Sequence, residues 1–176
     1  MVRRKYIRAL VQRLLAEHHV QAAPVAVVAI AKAVGVEVQA TPVKDDLSGF
    51  LYRNRQGNSA IIGVNANQHP KRQNFTAAHE LGHFLLHDSD AVHVDRDFKV
   101  WLRSDASSKG TDDEEKEANL FAAELLMPAH FLARDVQEID TIDLLDEKVL
   151  QKLASKYGVS TQAMTFRLAY LGYVKQ

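Results

Sequence analysis

The chain has 176 residues, 47% of them apolar and 25% charged, enough apolar content to pack one domain without disulfides. It contains no cysteine, which excludes thiol catalysis, cysteine zinc fingers and iron–sulfur clusters and leaves any metal to His, Asp or Glu. The zero net charge is unevenly spread: residues 1–75 hold 11 Lys/Arg against 4 Asp/Glu and residues 76–176 hold 11 against 18, a balance of +7 and −7 that reads first as oppositely charged faces attracting each other in the fold.

From the N-terminus, apolar residues recur at Ile7, Leu10, Val11, Leu14 and Leu15, the stripe of an amphipathic helix over Arg4–His18. The leading cations Arg3, Arg4 and Lys5 are not followed by the apolar core of a signal segment, because Glu17, His18 and His19 interrupt it. The longest apolar run, Val25–Ala31, is too short to cross a bilayer. The expectation is a soluble cytoplasmic protein with no membrane partner.

Pro24 is placed to open a second helix and Gly35 to end it. Three strands should follow: Val36–Val38, Gly49–Arg53 and Ser59–Val64, the last two joined by a turn at Gly57-Asn58. Together they predict a small antiparallel sheet of about three strands within an α+β fold whose remainder is mainly helical.

Pro70 begins a third helix whose broad apolar face (Phe75, Ala78, Leu81, Gly82, Leu85, Leu86) runs to about His87. Asp88–Thr111 lacks a long period, with short strands conceivable at Val92–Val94 and Phe98–Leu102; so long a connection in a compact domain often serves function. Asp112 or Asp113 caps the next helix, Pro128 stops it and starts another. Two short helices, Leu145–Tyr157 and Thr161–Leu171, close the chain around Gly158-Val159-Ser160. This divides it into a domain over 1–140 and a helix-turn-helix-like appendage over 141–176.

The run His79-Glu80-Leu81-Gly82-His83 carries the most chemistry. Positions i and i+4 of a helix share a face, so both imidazoles can reach one ion, while Glu80, about 100° round the helix, is placed to act as general base without being a ligand. A catalytic zinc site takes about three protein ligands, so one remains to be found. A third histidine in the extended motif fails, because Leu86 and Ser89 stand where glycine and histidine would be needed. His87 and His93 remain open, though His87 should point past the ion. The better candidates lie on the helix that begins near Asp112: Glu115 first and Glu117 second, with Glu114 and Glu117 expected on solvated faces. Ala118, Asn119 and Ala122 give the Glu115 side a face of small residues that can pack closely, and Asn119 could hold the free nitrogen of a ligating imidazole.

Phe75–His87 followed by Glu115–Pro128, with Leu47–Tyr52 and Ile61–Asn65 upstream, resembles the ImmA/IrrE family of metallopeptidases over roughly residues 25–130. The resemblance implies a gluzincin-like, zincin-type fold, with His79, His83 and Glu115 as ligands to zinc (manganese being the alternative ion) and Glu80 as the base. It also implies an endopeptidase acting on a protein substrate, a helix-turn-helix repressor or antitoxin-like protein, in stress, phage or toxin–antitoxin regulation. For substrate binding the residues offer Gly49 and Tyr52, on a strand that an extended peptide could join at its edge, and His93 in the long connection. The alternative is a non-catalytic DNA- or protein-binding regulator on the same scaffold. Leu153–Met164 has helix-turn-helix spacing and Lys148, Lys152 and Lys156 form a basic stripe. The second helix, however, offers only Gln162 and Arg167 to a groove, so packing or protein recognition is the preferred reading over direct DNA binding.

Overall fold

A computed structural model describes residues 1–44, 47–54, 59–88, 92–96, 109–139 and 146–174. The expected turn at Gly57-Asn58 and the strand at Phe98–Leu102 lie outside them. In chain order the elements are α1 (Arg4–Glu17), α2 (Val27–Ala33), β1 (Val36–Thr41), β2 (Leu47–Asn54), β3 (Ser59–Asn65), α3 (Pro70–Leu86), β4 (Val92–Arg96), α4 (Lys109–Leu126), α5 (Ala129–Gln137), α6 (Glu147–Tyr157) and α7 (Thr161–Tyr170).

The fold is α+β, but the sheet has four strands in the order β1-β3-β2-β4 and is mixed rather than antiparallel. β2 pairs antiparallel with β3 and with β4, while β1 pairs parallel with β3. The reason lies in β3. Its run Ala60–Asn65 is buried at nearly every position, so it needs a neighbour on each side, and the mostly exposed β1 supplies one as an outer strand. β4 adds at the other side. The short strand conceivable at Val92–Val94 is present and runs on to Arg96, held by its pairing with β2.

Local signals place several helix ends. His69 caps α3, its Nδ1 accepting from the Lys71 amide, with Pro70 in the first turn. Gly35 and Gly158 adopt the left-handed conformation where α2 and α6 stop. Pro24, by contrast, precedes α2, which starts at Val27, and α4 starts at Lys109, ahead of the expected caps. The stripe of α1 is buried along its whole length, about 1.5–3 kcal/mol for each large apolar side chain.

α3 is the central element. It packs on β2 and β3 on one side and on α4 on the other, so every residue from Thr76 to His83 is buried. A helix buried all round is normally apolar; this one carries two histidines and a glutamate into the core.

Candidate metal centre

Two close approaches bring the polar residues together. A Cβ on Gly49 would stand 2.4 Å from the Thr76 methyl and 2.8 Å from the Gly63 carbonyl oxygen, so only glycine lets β2 come this near α3. Glu80 Cγ lies 3.8 Å from that same position. On the other side, a Cβ on Gly82 would sit 3.1 Å from Ala118 Cα and 3.2 Å from its oxygen. That contact of small residues seats α4 against α3 and delivers Glu115 and Asn119 to the histidines.

His79 Nε2 and His83 Nε2 face each other at 3.0 Å. Glu115 spans them, Oε2 at 3.4 Å from His79 Nε2 and Oε1 at 3.2 Å from His83 Nε2. Four donors about 2.0–2.1 Å from a tetrahedral ion stand about 3.3–3.4 Å apart, close to these separations. His93, on β4, brings its Nε2 to 3.5 Å from Glu115 Oε1 and stacks on His83 with ring centroids 4.0 Å apart. All four residues offer a ligand atom within 4.8 Å of one another. His79 and His83 are fully buried and Glu115 is about one-third exposed, so the cluster opens to solvent on the Glu115 side.

The protonation pattern suits a cation. Burial pushes the His83 imidazolium down to about 4, against the opposing pull of Glu115, so the ring is neutral at neutral pH. Burial would raise the Glu115 carboxyl, but its interactions with His79 and His83 outweigh it and hold the group well below the usual carboxylate range. His79 Nδ1 is 3.0 Å from Asn119 Oδ1. That oxygen can only accept, so the proton sits on Nδ1 and the Nε2 lone pair points into the cluster. Two imidazoles and a carboxylate converging on one point form a donor set that fits zinc.

Of the sequence-derived candidates, the fold thus gathers His79, His83, Glu115, Asn119 and His93, with Glu80 on the same buried turn and Gly49 beneath it. Tyr52 is not among them: Gly49 and Leu51 face α3, so Tyr52 between Leu51 and Arg53 points to the opposite face of the sheet, where it is exposed. Nor does β2 have an edge to offer a peptide, since β3 and β4 occupy both sides; among the described residues the outer strand beside the cluster is β4. Glu117 is not solvated but 4% exposed, held by Arg3 and His87. His87 also points inward, its Nδ1 3.1 Å from His83 Nδ1. The signal for it was in the chain: His79, His83 and His87 recur at intervals of four.

A family model described as the IrrE N-terminal-like domain, of a peptidase family, matches residues 31–169. No curated protein matches the chain. Among solved structures, a Mycobacterium tuberculosis transcriptional regulator aligns with TM-score 0.64 at 14% identity, a likeness of fold alone. The alignment covers 94% of this chain but 46% of that one, so this chain spans less than half its neighbour's length.

Proposed function

Because the chain belongs to the IrrE N-terminal-like peptidase family, we propose that it is a zinc-dependent endopeptidase whose substrate is a helix-turn-helix repressor or antitoxin-like protein. The observation that carries this reading is the convergence of His79, His83 and Glu115, with separations of 3.0–3.4 Å, beside buried Glu80.

His79, His83 and Glu115 would hold the ion, with Asn119 fixing the His79 ring. When bound, zinc supplies Lewis acidity, polarising the scissile carbonyl and bringing the pKa of water toward neutrality. Glu80 accepts the proton from the attacking water and delivers it to the leaving amine. Gly49 leaves Glu80 room between helix and sheet. β4 presents its outer edge to an extended peptide in place of the enclosed β2. His93, on β4, is placed to donate to the oxygen that becomes negative in the transition state. A repressor substrate places the reaction in the cytoplasm.

A binding regulator that keeps the metal without cleaving is the second reading, prompted by the name of the solved neighbour. Two observations weigh against direct DNA contact through α6 and α7. Arg167 is buried, giving its Nη1 and Nη2 to Glu124 at 3.0 and 2.7 Å, and Lys156 is engaged with Asp135 at 2.9 Å.

Glu80→Gln separates the readings. The peptidase should keep its zinc, measured by metal analysis, and lose cleavage of a co-expressed repressor by about 10²–10⁴-fold. Cleavage at the parental rate would rule out Glu80 as the base. A parent chain that takes up no metal when zinc is supplied would remove the site itself.

A further inference from the structure

A line of polar groups leads away from the cluster through His83 Nδ1, the ring nitrogen on the far side from Nε2. His87 and Glu117 are 7% and 4% exposed. Arg3 gives its Nε and its main-chain amide to Glu117, the latter at 2.7 Å. Glu117 Oε2 lies 3.2 Å from His87 Nε2, and His87 Nδ1 lies 3.1 Å from His83 Nδ1. The catalytic reading uses none of these three residues.

Their order fixes where each proton sits. Arg3 holds the Glu117 carboxyl as a carboxylate, which can only accept, so His87 donates from Nε2. In the tautomer that donates from Nε2 the other ring nitrogen, Nδ1, is an acceptor, and it faces His83 Nδ1 at 3.1 Å. His83 must then donate from Nδ1, which leaves its Nε2 lone pair facing His79 and Glu115. Asn119 performs the same service for His79 with one residue.

We infer that Arg3, Glu117 and His87 form a positioning relay that holds His83 in its metal-binding tautomer and ring orientation. The inference rests on the zinc reading of the site and names residues that the motif itself does not contain. Its physical basis is the general one for imidazole ligands: the nitrogen away from the ion needs a defined acceptor, and loss of that partner weakens metal binding by about 10–100-fold. Arg3 also gives Nη2 to the Leu86 carbonyl at 3.0 Å, so the same side chain ties the start of the chain to the end of α3.

The test compares the parent with His87→Phe, which keeps a ring but removes the acceptor, and His87→Gln, whose amide can accept from His83 and donate to Glu117. Zinc affinity is measured by competition with a chromogenic chelator. Long-range proton–nitrogen spectra of the histidine rings report the tautomers in metal-free protein. The relay predicts a loss of about 10–100-fold in affinity for His87→Phe, recovery of most of it in His87→Gln, and His83 protonated on Nδ1 in the parent. Parental affinity in a folded His87→Phe, or His83 protonated on Nε2 in the metal-free parent, would overturn it. If His87→Phe does not fold, His87→Gln and the parental spectrum still decide. Failure of the parent to bind zinc would instead count against the metal reading, while the spectrum continues to test the relay.

Discussion

Single residues here are constrained by burial more than by sequence distance. Glu124 illustrates this: burial would raise its carboxyl, but hydrogen bonds and the charges of Arg167 and Arg8 lower it below 4.5. A depressed folded value means that the pair's contribution is complete above about pH 4.5 and is lost as the pH falls toward the folded value. His83 acts over a higher window. Its folded value of about 4 lies below the ordinary 6.5, so in the metal-free protein stability declines as pH falls from 6.5 toward 4, where only the unfolded chain takes up the proton. Glu124→Gln should cost about 3–5 kcal/mol at neutral pH, because Arg167 would be left buried with its main partner uncharged. Urea unfolding would show this as a lower midpoint and a shallower decline below pH 4.5; an unchanged midpoint would mean that the pair contributes little.

Elements meet at this site through the smallest side chains available. A Cβ at Gly82 would crowd the backbone of Ala118 at 3.1–3.2 Å, so Gly82→Val must push α4 away from α3. It should bind zinc at least tenfold more weakly in a competition titration, since Glu115 would move relative to His79 and His83, and should lose about 1–3 kcal/mol to overpacking. Gly49→Ala meets a methyl at 2.4 Å and a carbonyl oxygen at 2.8 Å and should lower the thermal midpoint by a comparable energy. Normal melting and normal zinc binding in both variants would mean that the helices and sheet can part without affecting the cluster. Arg53 adds a further tie, giving its guanidinium to the His83, Phe84 and His87 carbonyls at the end of α3, at 2.7–3.2 Å.

Across the whole molecule, the opposed charges of the two halves meet. Arg3 and Arg8 of the basic half bind Glu117 and Glu124 of the acidic half, and the N-terminal amine binds Asp113, so much of the asymmetry is an internal attachment of α1 to α4. The C-terminal helices are attached in the same way. Leu153, Tyr157, Val159, Met164 and Leu168 belong to the same buried cluster as Leu125 and Phe131, and the Tyr157 hydroxyl donates to Asp135 at 2.7 Å. Calorimetry should therefore show one cooperative transition that includes residues 146–174; two well-separated transitions would identify the C-terminal helices as an independent unit. None of the described helices is long and apolar enough to cross a membrane.

Local chemistry determined much of this protein before any tertiary contact. The period of α1, the cap and proline of α3, the glycine stops of α2 and α6 and the i, i+4 spacing of His79 and His83 depend on residues within a turn or two of one another. The order of the strands does not, because β3's need for two neighbours is met by β1 and β2, which both precede it in the chain and do not pair with each other. The same holds for the enclosure of β2, the inward turn of Arg167 and the burial of Glu117 by Arg3, a residue 114 positions away. Helical periodicity placed Glu117 on a flank and left its surroundings open. Only the packing of α1 on α4 decided that this flank is interior, and a carboxylate there must be paired because an unpaired buried charge is too costly to keep.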